Sequence, residues 1–316
     1  MSSKVLDSEL AVEVVNLTKY YGDRLAVDHI NFGVGKGEFF GFLGPNGAGK
    51  TTTMRILTGI IKANDGNATV MGHPAGSLQA KQAAGVVPEL ANAYLDLSAW
   101  SNLMLMIELY GVSGADGKRM AETLLKELGL YDRRDDLVKG FSRGMRQRLI
   151  LCMAIVSAPQ VLFLDEPTTG LDIQSTRFIR EMLRNLKQAG KTIFLTTHDM
   201  EEANELCDRV AIINHGKIAA IDAPERLRIT VNRLHSVEVG FDRPVVTEAL
   251  SELPAVNKVE IVGDKVRLYT DDPCSVVASV VDYSRANGLR MVALQVLFPS
   301  LEDAFVKLTE EGARGN

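Results

Sequence analysis

The most informative segment of this chain reads Gly44-Pro45-Asn46-Gly47-Ala48-Gly49-Lys50-Thr51-Thr52. A glycine, four residues and then Gly-Lys-Thr is the pattern of a loop that wraps a phosphate group. The apolar run from Phe39 to Leu43 predicts a buried strand before the loop, and the residues from Thr51 to Ile61 predict a helix after it. The alternative, a glycine-rich turn beside a surface lysine, gives no reason for a strand and a helix at these two places.

The residue types in this loop predict a nucleotide as its ligand. Glycines allow backbone N–H groups to turn inward, and the helix that follows adds the positive end of its dipole. Lys50 would place a positive charge between the β- and γ-phosphates, and Thr51 would bind magnesium through its hydroxyl. We therefore expect every residue from Gly44 to Thr52 to contact the nucleotide.

Two carboxylates follow a second apolar run, Val161 to Leu164. A carboxylate at the end of a strand beside a phosphate loop can hold magnesium through water, and Asp165 fits that position. Glu166 is next along the chain and could polarise an attacking water as a general base. The alternative is an acidic strand end that Pro167 closes, and the phosphate loop upstream makes the catalytic interpretation the better one.

Two further segments indicate a function only in combination with these motifs. Ser142 and Gly144 begin a predicted helix, where free N–H groups and a hydroxyl make an anion site. No second phosphate-loop lysine accompanies them, so we expect them to complete another site. His198 follows the strand predicted from Thr192 to Thr196 and could contact a γ-phosphate, although a lone histidine is more often structural.

Composition limits the possible classes of protein. The chain has 316 residues and 46% hydrophobic residues, and no apolar run approaches the ~20 residues that span a bilayer. Its three cysteines are far apart, which favours a reducing compartment, and residues 1–10 lack the apolar core of a signal peptide. The net charge is −5 and there is no basic stripe, so we expect no nucleic-acid partner and membrane association only through a protein.

The order of the predicted elements indicates an α/β protein with two domains. Strands alternate with helices up to about residue 223, which predicts a mostly parallel sheet whose ligand site lies at the carboxyl ends of its strands. Residues 91–156 are mainly helical and predict an inserted subdomain. From Ser236 the order is β-α-β-β-α-β, a split βαβ arrangement. We therefore expect a first domain over residues 1–234 and a small α+β domain over residues 235–316.

Taken together, the motifs resemble those of an ATP-binding-cassette ATPase. The phosphate loop, Phe141 to Arg148, Leu164 to Asp172 and His198 occur in that family's order over residues 12–223. The resemblance implies a P-loop NTPase (RecA-like) core with an inserted helical subdomain, and the second domain would be ferredoxin-like. It further implies ATP and Mg²⁺ as cofactors and two chains paired head to tail, each phosphate loop facing the other chain's signature segment.

Residue by residue, the resemblance assigns further roles. Tyr21 is similar to the aromatic side chain that stacks on adenine, Glu166 to the catalytic carboxylate, and His198 to the switch histidine. Residues 170–172 resemble the loop that crosses the dimer interface. The signature positions Ser142, Arg143, Gly144 and Met145 would cover the partner's γ-phosphate.

The sequence departs from the family pattern in two places. Glu89 stands where a magnesium-binding glutamine is usual, and a carboxylate can also bind the metal. Arg143 replaces a usual glycine, where it could reach a phosphate or a nearby acid, and Met145 replaces a common glutamine.

The variant signature and the segment from Ser300 to Thr309 resemble the ATPase subunits of type-2 exporters. This resemblance implies an ATP-hydrolysing subunit on the cytoplasmic face of the membrane that drives a separate integral-membrane permease. Three alternatives remain at this point: a soluble cassette ATPase that couples ATP to another process, an unrelated phosphate-loop kinase or GTPase, and an interaction protein that ATP only regulates.

Overall fold

A computed structural model describes residues 10–89, 93–231, 235–297 and 300–314 of the chain. These residues form two compact units, one up to Pro224 and one from Glu225. The domain boundary predicted after Leu234 adjoins residues 232–234, which lie outside the described ranges. So do the predicted start of the helical subdomain at Ala91 and the predicted last residue of one C-terminal strand, Phe298.

The first unit contains ten strands and seven helices among its described residues. The strands are β1 (Leu10–Tyr21), β2 (Arg24–Gly35), β3 (Phe39–Leu43), β4 (Asp65–Val70), β5 (His73–Pro74), β6 (Ala84–Val87), β7 (Val161–Asp165), β8 (Thr192–Thr197), β9 (Arg209–Asn214) and β10 (Lys217–Asp222). The helices are α1 (Lys50–Leu57), α2 (Leu78–Ala83), α3 (Ala99–Leu109), α4 (Gly114–Glu127), α5 (Arg143–Ile155), α6 (Ile173–Gln188) and α7 (Met200–Leu206).

A six-stranded sheet positions the phosphate loop. Its order is β10-β9-β3-β8-β7-β6, parallel except for the edge strand β10. Strands β3, β7 and β8 are buried along their whole length, which explains the apolar runs of β3 and β7 and the apolar residues 193–195 at the centre of β8. Side by side in parallel, they bring the loop after β3 next to the carboxylates of β7 and the histidine after β8.

Aromatic rings fill the space between this sheet and a second one. Phe194 lies at the centre of the cluster, with ring centroids of Phe40, Phe42 and Phe163 within 5.6–5.9 Å. Phe32 on β2 stacks on Phe40 at 5.6 Å and joins the two sheets. Offset and tilted rings at these separations add to the stability that burial of their area provides.

The second sheet of this unit is antiparallel, in the order β2-β1-β4-β5. The sequence predicts strands at residues 12–15, 30–34 and 69–71, which fall on β1, β2 and β4. Strands β1 and β2 are much longer than predicted and meet in a hairpin at Gly22, whose φ is +58°. Register shifts along the β1–β2 pair break the strict alternation of polar and apolar residues. The alternation therefore predicts only the regular parts of these two strands.

The helical block contains α3, α4 and α5, which share an apolar core with one face of the parallel sheet. Gly117 on α4 lies so close to Ile107 on α3 that a methyl group there would approach Ile107 Cγ2 to 2.5 Å, which explains the small residue. Gly129 has φ +63° just after α4 and ends it as predicted. Among the described residues, no helix has the length and apolar character needed to cross a bilayer.

The second unit has the predicted split βαβ order, preceded and followed by helices. Its elements are α8 (Pro224–Val231), β11 (His235–Phe241), α9 (Thr247–Ser251), β12 (Lys258–Val262), β13 (Lys265–Thr270), α10 (Pro273–Ala286), β14 (Met291–Leu297) and α11 (Leu301–Arg314). The sheet order is β12-β13-β11-β14, antiparallel throughout. A capping box begins α11, as the pair Ser300 and Asp303 predicts from the sequence: Ser300 Oγ accepts the Asp303 N–H and Asp303 Oδ2 accepts the Ser300 N–H, at 3.1 and 3.0 Å.

Candidate active site

The phosphate loop begins where β3 ends, and its backbone has no room for larger side chains. A Cβ on Gly44 would lie 2.3 Å from the Ile213 carbonyl oxygen, and one on Gly49 would lie 2.6 Å from that of Ala26. Gly49 also has φ +110° at the start of α1. Ala48 is buried and donates its N–H to the Pro45 carbonyl. Only glycine fits at these two positions, so the loop is held in one shape.

Lys50 is buried with its ammonium group inside the loop. Its Nζ donates to the carbonyl oxygens of Gly44 and Pro45 at 2.7 and 3.2 Å, and lies 3.3 Å from Glu166 Oε1. A buried charge is stable only when it is paired and hydrogen-bonded. The loop thus holds a positive charge beside the N-terminal end of α1, where an anion is stabilised.

Asp165 ends β7 and is also buried. Its Oδ1 accepts from Thr51 Oγ1 at 3.3 Å and from the hydroxyl of Thr196 on β8. The sequence predicted that Thr51 and Asp165 share one metal, and the structure brings them together. It did not identify Thr196, although a threonine facing β7 from the neighbouring parallel strand is the signal that could have done so.

Glu166 lies at the centre of the hydrogen-bond network. Its φ is +49°, an unusual value for a residue with a side chain, and its N–H donates to the Thr196 carbonyl at 3.0 Å. Glu166 Oε2 lies 2.9 Å from Nδ1 of His198 and accepts from Thr169 Oγ1 at 3.1 Å. Strained backbone of this kind persists where the surroundings over-determine it, as they do at catalytic sites. Thr169 is a second residue that the sequence did not single out.

Lys50, Glu166, Thr169 and His198 face one cleft of about 700 Å³, whereas Asp165 and the predicted loop residues Gly44, Pro45 and Ala48 are not among the described residues that line it. Its walls include the predicted residues Tyr21, Asn46, Gly47, Gly49, Lys50, Thr51, Thr52, Glu89, Glu166 and His198, together with Arg24, Ala26 and Thr169, which were not predicted. Tyr21 ends β1 and is half exposed, with the ammonium of Lys19 5.6 Å from its ring centroid. An exposed ring at the mouth of the cleft is available for stacking.

The residues present fit ATP with magnesium. Oxygen donors at Thr51 and Asp165 are the type that Mg²⁺ prefers, and Glu89 adds a carboxylate to the same cleft. Within the described ranges no three His, Cys, Asp or Glu side chains cluster as a metal site of their own. Magnesium usually keeps waters and phosphate oxygens as ligands, so a hydroxyl and one or two carboxylates suffice when a nucleotide supplies the rest.

The four signature positions, 142–145, lie elsewhere; none of them is among the described residues that line the cleft. Ser142 caps α5, its Oγ accepting the Met145 N–H at 3.3 Å, as the sequence predicted for a helix start. Arg143 Nη2 donates to the Thr169 carbonyl at 2.8 Å. The side chain that could reach a phosphate or a nearby acid therefore contacts a backbone carbonyl of its own chain.

A buried glutamate is hydrogen-bonded to the loop after β7. Glu202 on α7 is fully buried and accepts from Thr168 Oγ1 at 2.7 Å. Burial raises the pKa of Glu202, while the hydrogen bond from Thr168 lowers it. Arg180 on α6 is nearby and bonds to Asp199 and Glu205, so α6, α7 and the loop carrying Thr168 form one polar cluster.

Comparison with known proteins gives matches over most of the chain. Residues 27–169 match the family model described as ABC transporter. The Nod factor export ATP-binding protein I of Rhizobium sp. (strain N33) is 39% identical over 96% of this chain and 98% of that protein. The linearmycin resistance ATP-binding protein LnrL of Bacillus subtilis (strain 168) is 35% identical over 94% of this chain and 98% of that protein.

Solved structures resemble the first unit. One, described as the ATP-binding subunit of an ABC transporter, superimposes with a TM-score of 0.65 at 28% identity over 70% of this chain and 92% of its own. Another is a dimeric ATP-binding cassette in a post-hydrolysis state with ADP and Pi, with a TM-score of 0.61 at 25% identity over 67% of this chain and 98% of its own.

The similarity to the relatives extends over almost the whole length of both chains. The first unit places residues of the phosphate loop, Glu166 and His198 around one cleft, and Asp165 bonds to Thr51 of that loop. A third solved structure, described as part of an ABC transporter complex, superimposes with a TM-score of 0.63 at 26% identity, and the post-hydrolysis cassette is described as dimeric. The chain therefore belongs to the ABC transporter family, as an ATPase subunit that binds ATP and Mg²⁺ and hydrolyses ATP.

Proposed function

We propose that this chain is the ATPase subunit of an exporter, that it works as a head-to-tail homodimer, and that it drives a separate permease from the cytoplasmic face of the membrane. The observation that carries the catalytic part is the contact of Glu166 with Lys50, Thr169 and His198 in one cleft. The export part rests on the relatives, whose names describe Nod factor export and linearmycin resistance.

The residues predicted from the sequence have the following roles in this proposal. Tyr21 stacks on adenine, residues 44–52 wrap the phosphates, and Lys50 binds between the β- and γ-phosphates. Thr51, Asp165 and Glu89 would hold Mg²⁺, whose positive charge would offset the negative charge of the phosphate oxygens. Glu166 orients and deprotonates the attacking water, and His198 holds the γ-phosphate while keeping Glu166 in place.

The second half of each site comes from the other chain. Ser142, Arg143, Gly144 and Met145 lie at the start of α5, whose free N–H groups suit an anion, yet they do not line their own chain's cleft. Because the signature residues do not line the cleft that holds Lys50, one chain does not bring both to the same nucleotide. A second copy placed head to tail brings both halves to one ATP, and residues 170–172 then lie at the interface.

The permease docks on an apolar groove of the first unit. Residues of α1, α2, β6 and α3 line a groove of about 420 Å³, and Leu78 and Leu109 on its rim are each 69% exposed. Exposed leucines beside an apolar groove are typical of a protein interface. The groove lies at the helical block that follows β6 and Glu89, so a permease segment bound there can respond to the nucleotide.

Residues 235–316 are proposed as an accessory domain that supports the dimer or its regulation. Their charge is acidic overall, and they contain none of the nucleotide motifs. The proposed boundary after Leu234 leaves β11 to α11 together as one domain.

The permease proposal is tested by purifying the tagged full-length chain from detergent-solubilised membranes of the native cells. We expect one integral-membrane protein to co-purify in defined stoichiometry and to change the rate of ATP hydrolysis. Leu78→Glu with Leu109→Glu should abolish co-purification and leave basal hydrolysis intact. Ile261→Glu is the matched control, because Ile261 is also 69% exposed but lies on β12. Hydrolysis by wild-type protein that never associates with a membrane protein would favour the soluble ATPase.

A further inference from the structure

Arg143 joins the signature segment to the loop beside the catalytic centre of the same chain. It is the first residue of α5, and its guanidinium donates from Nη2 to the Thr169 carbonyl at 2.8 Å. The next residue, Gly170, has φ +70°, and a Cβ there would lie 2.5 Å from Arg143 Nη1. The guanidinium therefore occupies the space that a side chain at residue 170 would need.

A second close contact lies one residue further along α5. A Cβ on Gly144 would lie 2.2 Å from Ser175 Oγ, and Ser175 is itself bonded to Asp172, the N-cap of α6. The first turn of α5 thus touches both the loop at Thr169 and the first turn of α6. Such an arrangement leaves little freedom for the loop to move independently of the signature segment.

Thr169 is hydrogen-bonded to both Arg143 and the proposed catalytic carboxylate, Glu166. Its backbone carbonyl accepts from Arg143, and its side-chain hydroxyl donates to Glu166 Oε2 at 3.1 Å. The two groups belong to one residue, so a displacement of its backbone displaces its hydroxyl. The contacts run from the signature segment to Glu166 through a single intermediate residue.

We propose that Arg143 is a positioning residue that holds Glu166 in its productive orientation through Thr169. The inference rests on the proposed catalytic function of Glu166, and it assigns Arg143 a different task from direct phosphate binding. A phosphate ligand acts on nucleotide affinity, whereas a positioning residue acts on the turnover of bound nucleotide. The two tasks therefore predict different kinetic changes.

The experiment measures steady-state phosphate release by the full-length protein as a function of ATP concentration. Arg143→Ala should lower kcat ~10-fold, less than the ~10²–10⁴ attributed to a general base, while KM for ATP stays within ~2-fold. Arg143→Lys should recover most of this loss, because a lysine ammonium can donate to the same carbonyl. Arg243→Ala is the matched control: the Arg243 guanidinium also donates to a backbone carbonyl, that of Asn287 at 3.0 Å, but it lies in the second unit, so kcat should not change.

A double-mutant cycle with Thr169→Ala tests whether Arg143 acts through Thr169. That substitution removes the hydroxyl and keeps the carbonyl. If the two residues act in series, the double variant should lose no more than ~2-fold beyond the worse single variant, whereas independent effects would multiply to ~100-fold. An unchanged kcat in Arg143→Ala, a rise in KM alone, or a multiplicative loss would each overturn the proposal. Wild-type protein without ATP turnover would instead overturn the function on which it rests.

Discussion

Two nearly buried glutamates, Glu166 in the cleft and Glu238 in the second unit, have similar partners and different surroundings. Glu166 lies 3.3 Å from the ammonium of Lys50 and 2.9 Å from a ring nitrogen of His198. Glu238 accepts from Lys265 at 2.9 Å and from Arg267 at 3.1 Å. Judged by charge pairing alone, either glutamate could belong to an active site.

The backbone and the neighbouring space separate them. Glu166 has φ +49°, follows the last residue of a parallel strand and faces an open cleft. Glu238 lies in the middle of β11, opposite Arg267 in regular antiparallel pairing. Strain, a cleft and the convergence of several strand ends indicate catalysis, whereas a regular cross-strand ion pair stabilises a sheet.

The largest expected effect comes from replacing the carboxylate of Glu166, which should lower the rate of ATP hydrolysis. Glu166→Gln keeps the shape of the side chain and removes the base, so phosphate release should fall ~10²–10⁴-fold while ATP still binds. ATP should then hold the protein as a stable dimer, which size-exclusion chromatography with and without ATP would detect. Glu238→Gln is the matched control and should hydrolyse ATP at the wild-type rate. Near-normal phosphate release by Glu166→Gln would contradict the assignment.

A second experiment asks whether the cleft is complete in one chain. Lys50→Ala damages the phosphate loop and Ser142→Arg blocks the signature, so each variant alone should be inactive. In a mixed dimer both changes fall on one composite site and leave the other intact. Mixing should therefore restore turnover that rises with the mixed fraction and disappears on dilution, provided that one intact site works alone.

Mixing Lys50→Ala with Glu166→Gln serves as the control for that experiment. Both changes affect the phosphate-loop half of a site, so the mixed dimer has one lesion in each of its two sites and should stay inactive. No rescue in the first mixture would favour a site built from a single chain. Rescue in the control mixture would mean that Lys50 and Glu166 of one chain do not serve the same site.

The third prediction concerns the structural glutamate and its dependence on pH. Hydrogen bonds from Lys265 and then Arg267 lower the pKa of Glu238. The ionised carboxylate therefore stabilises the fold above its unfolded pKa of about 4.3, and this stability is lost as the pH falls through the lower folded pKa.

Glu238→Gln should destabilise the second unit by about 1 kcal/mol at pH 7, because both cations are partly exposed and solvent weakens such pairs. Scanning calorimetry of the full-length chain should show a lower melting temperature at pH 7 and a smaller difference from wild type below pH ~4. A difference in melting temperature that does not change with pH would mean that the ion pairs of Glu238 contribute nothing to stability.

The smallest expected effect comes from removing the second unit altogether. A shortened chain that ends at Leu234 should bind ATP within ~3-fold of the wild-type affinity, since the described residues that line the cleft all lie before residue 200. Fluorescence titration with a labelled ATP analogue would measure this, with Lys50→Ala as the non-binding reference. Loss of binding by a folded shortened chain would place part of the site in the second unit.

Several elements differ from what was predicted from the sequence. Strands β9 and β10 were not predicted, although the apolar run Val210 to Ile213 is a strand signal. The predicted helix from Thr51 to Ile61 ends at Leu57, because residues 58–61 form turns whose N–H groups donate to carbonyls of the last helical turn. Propensity and periodicity do not resolve such ends, which local hydrogen bonding decides.

The sequence by itself determined the phosphate loop, the strand that precedes it, Asp165, Glu166, Ser142 and His198, because each belongs to a short motif whose chemistry needs those residue types at that spacing. Only the tertiary structure decided that Thr196 bonds to Asp165, that Thr169 bonds to Glu166, and that Arg143 reaches Thr169 rather than an acid. The last of these contacts joins residues 26 positions apart, and the middle one depends on a left-handed backbone at Glu166. Contacts of this kind follow from how strands and helices pack, and that packing is set by the whole core rather than by any one segment.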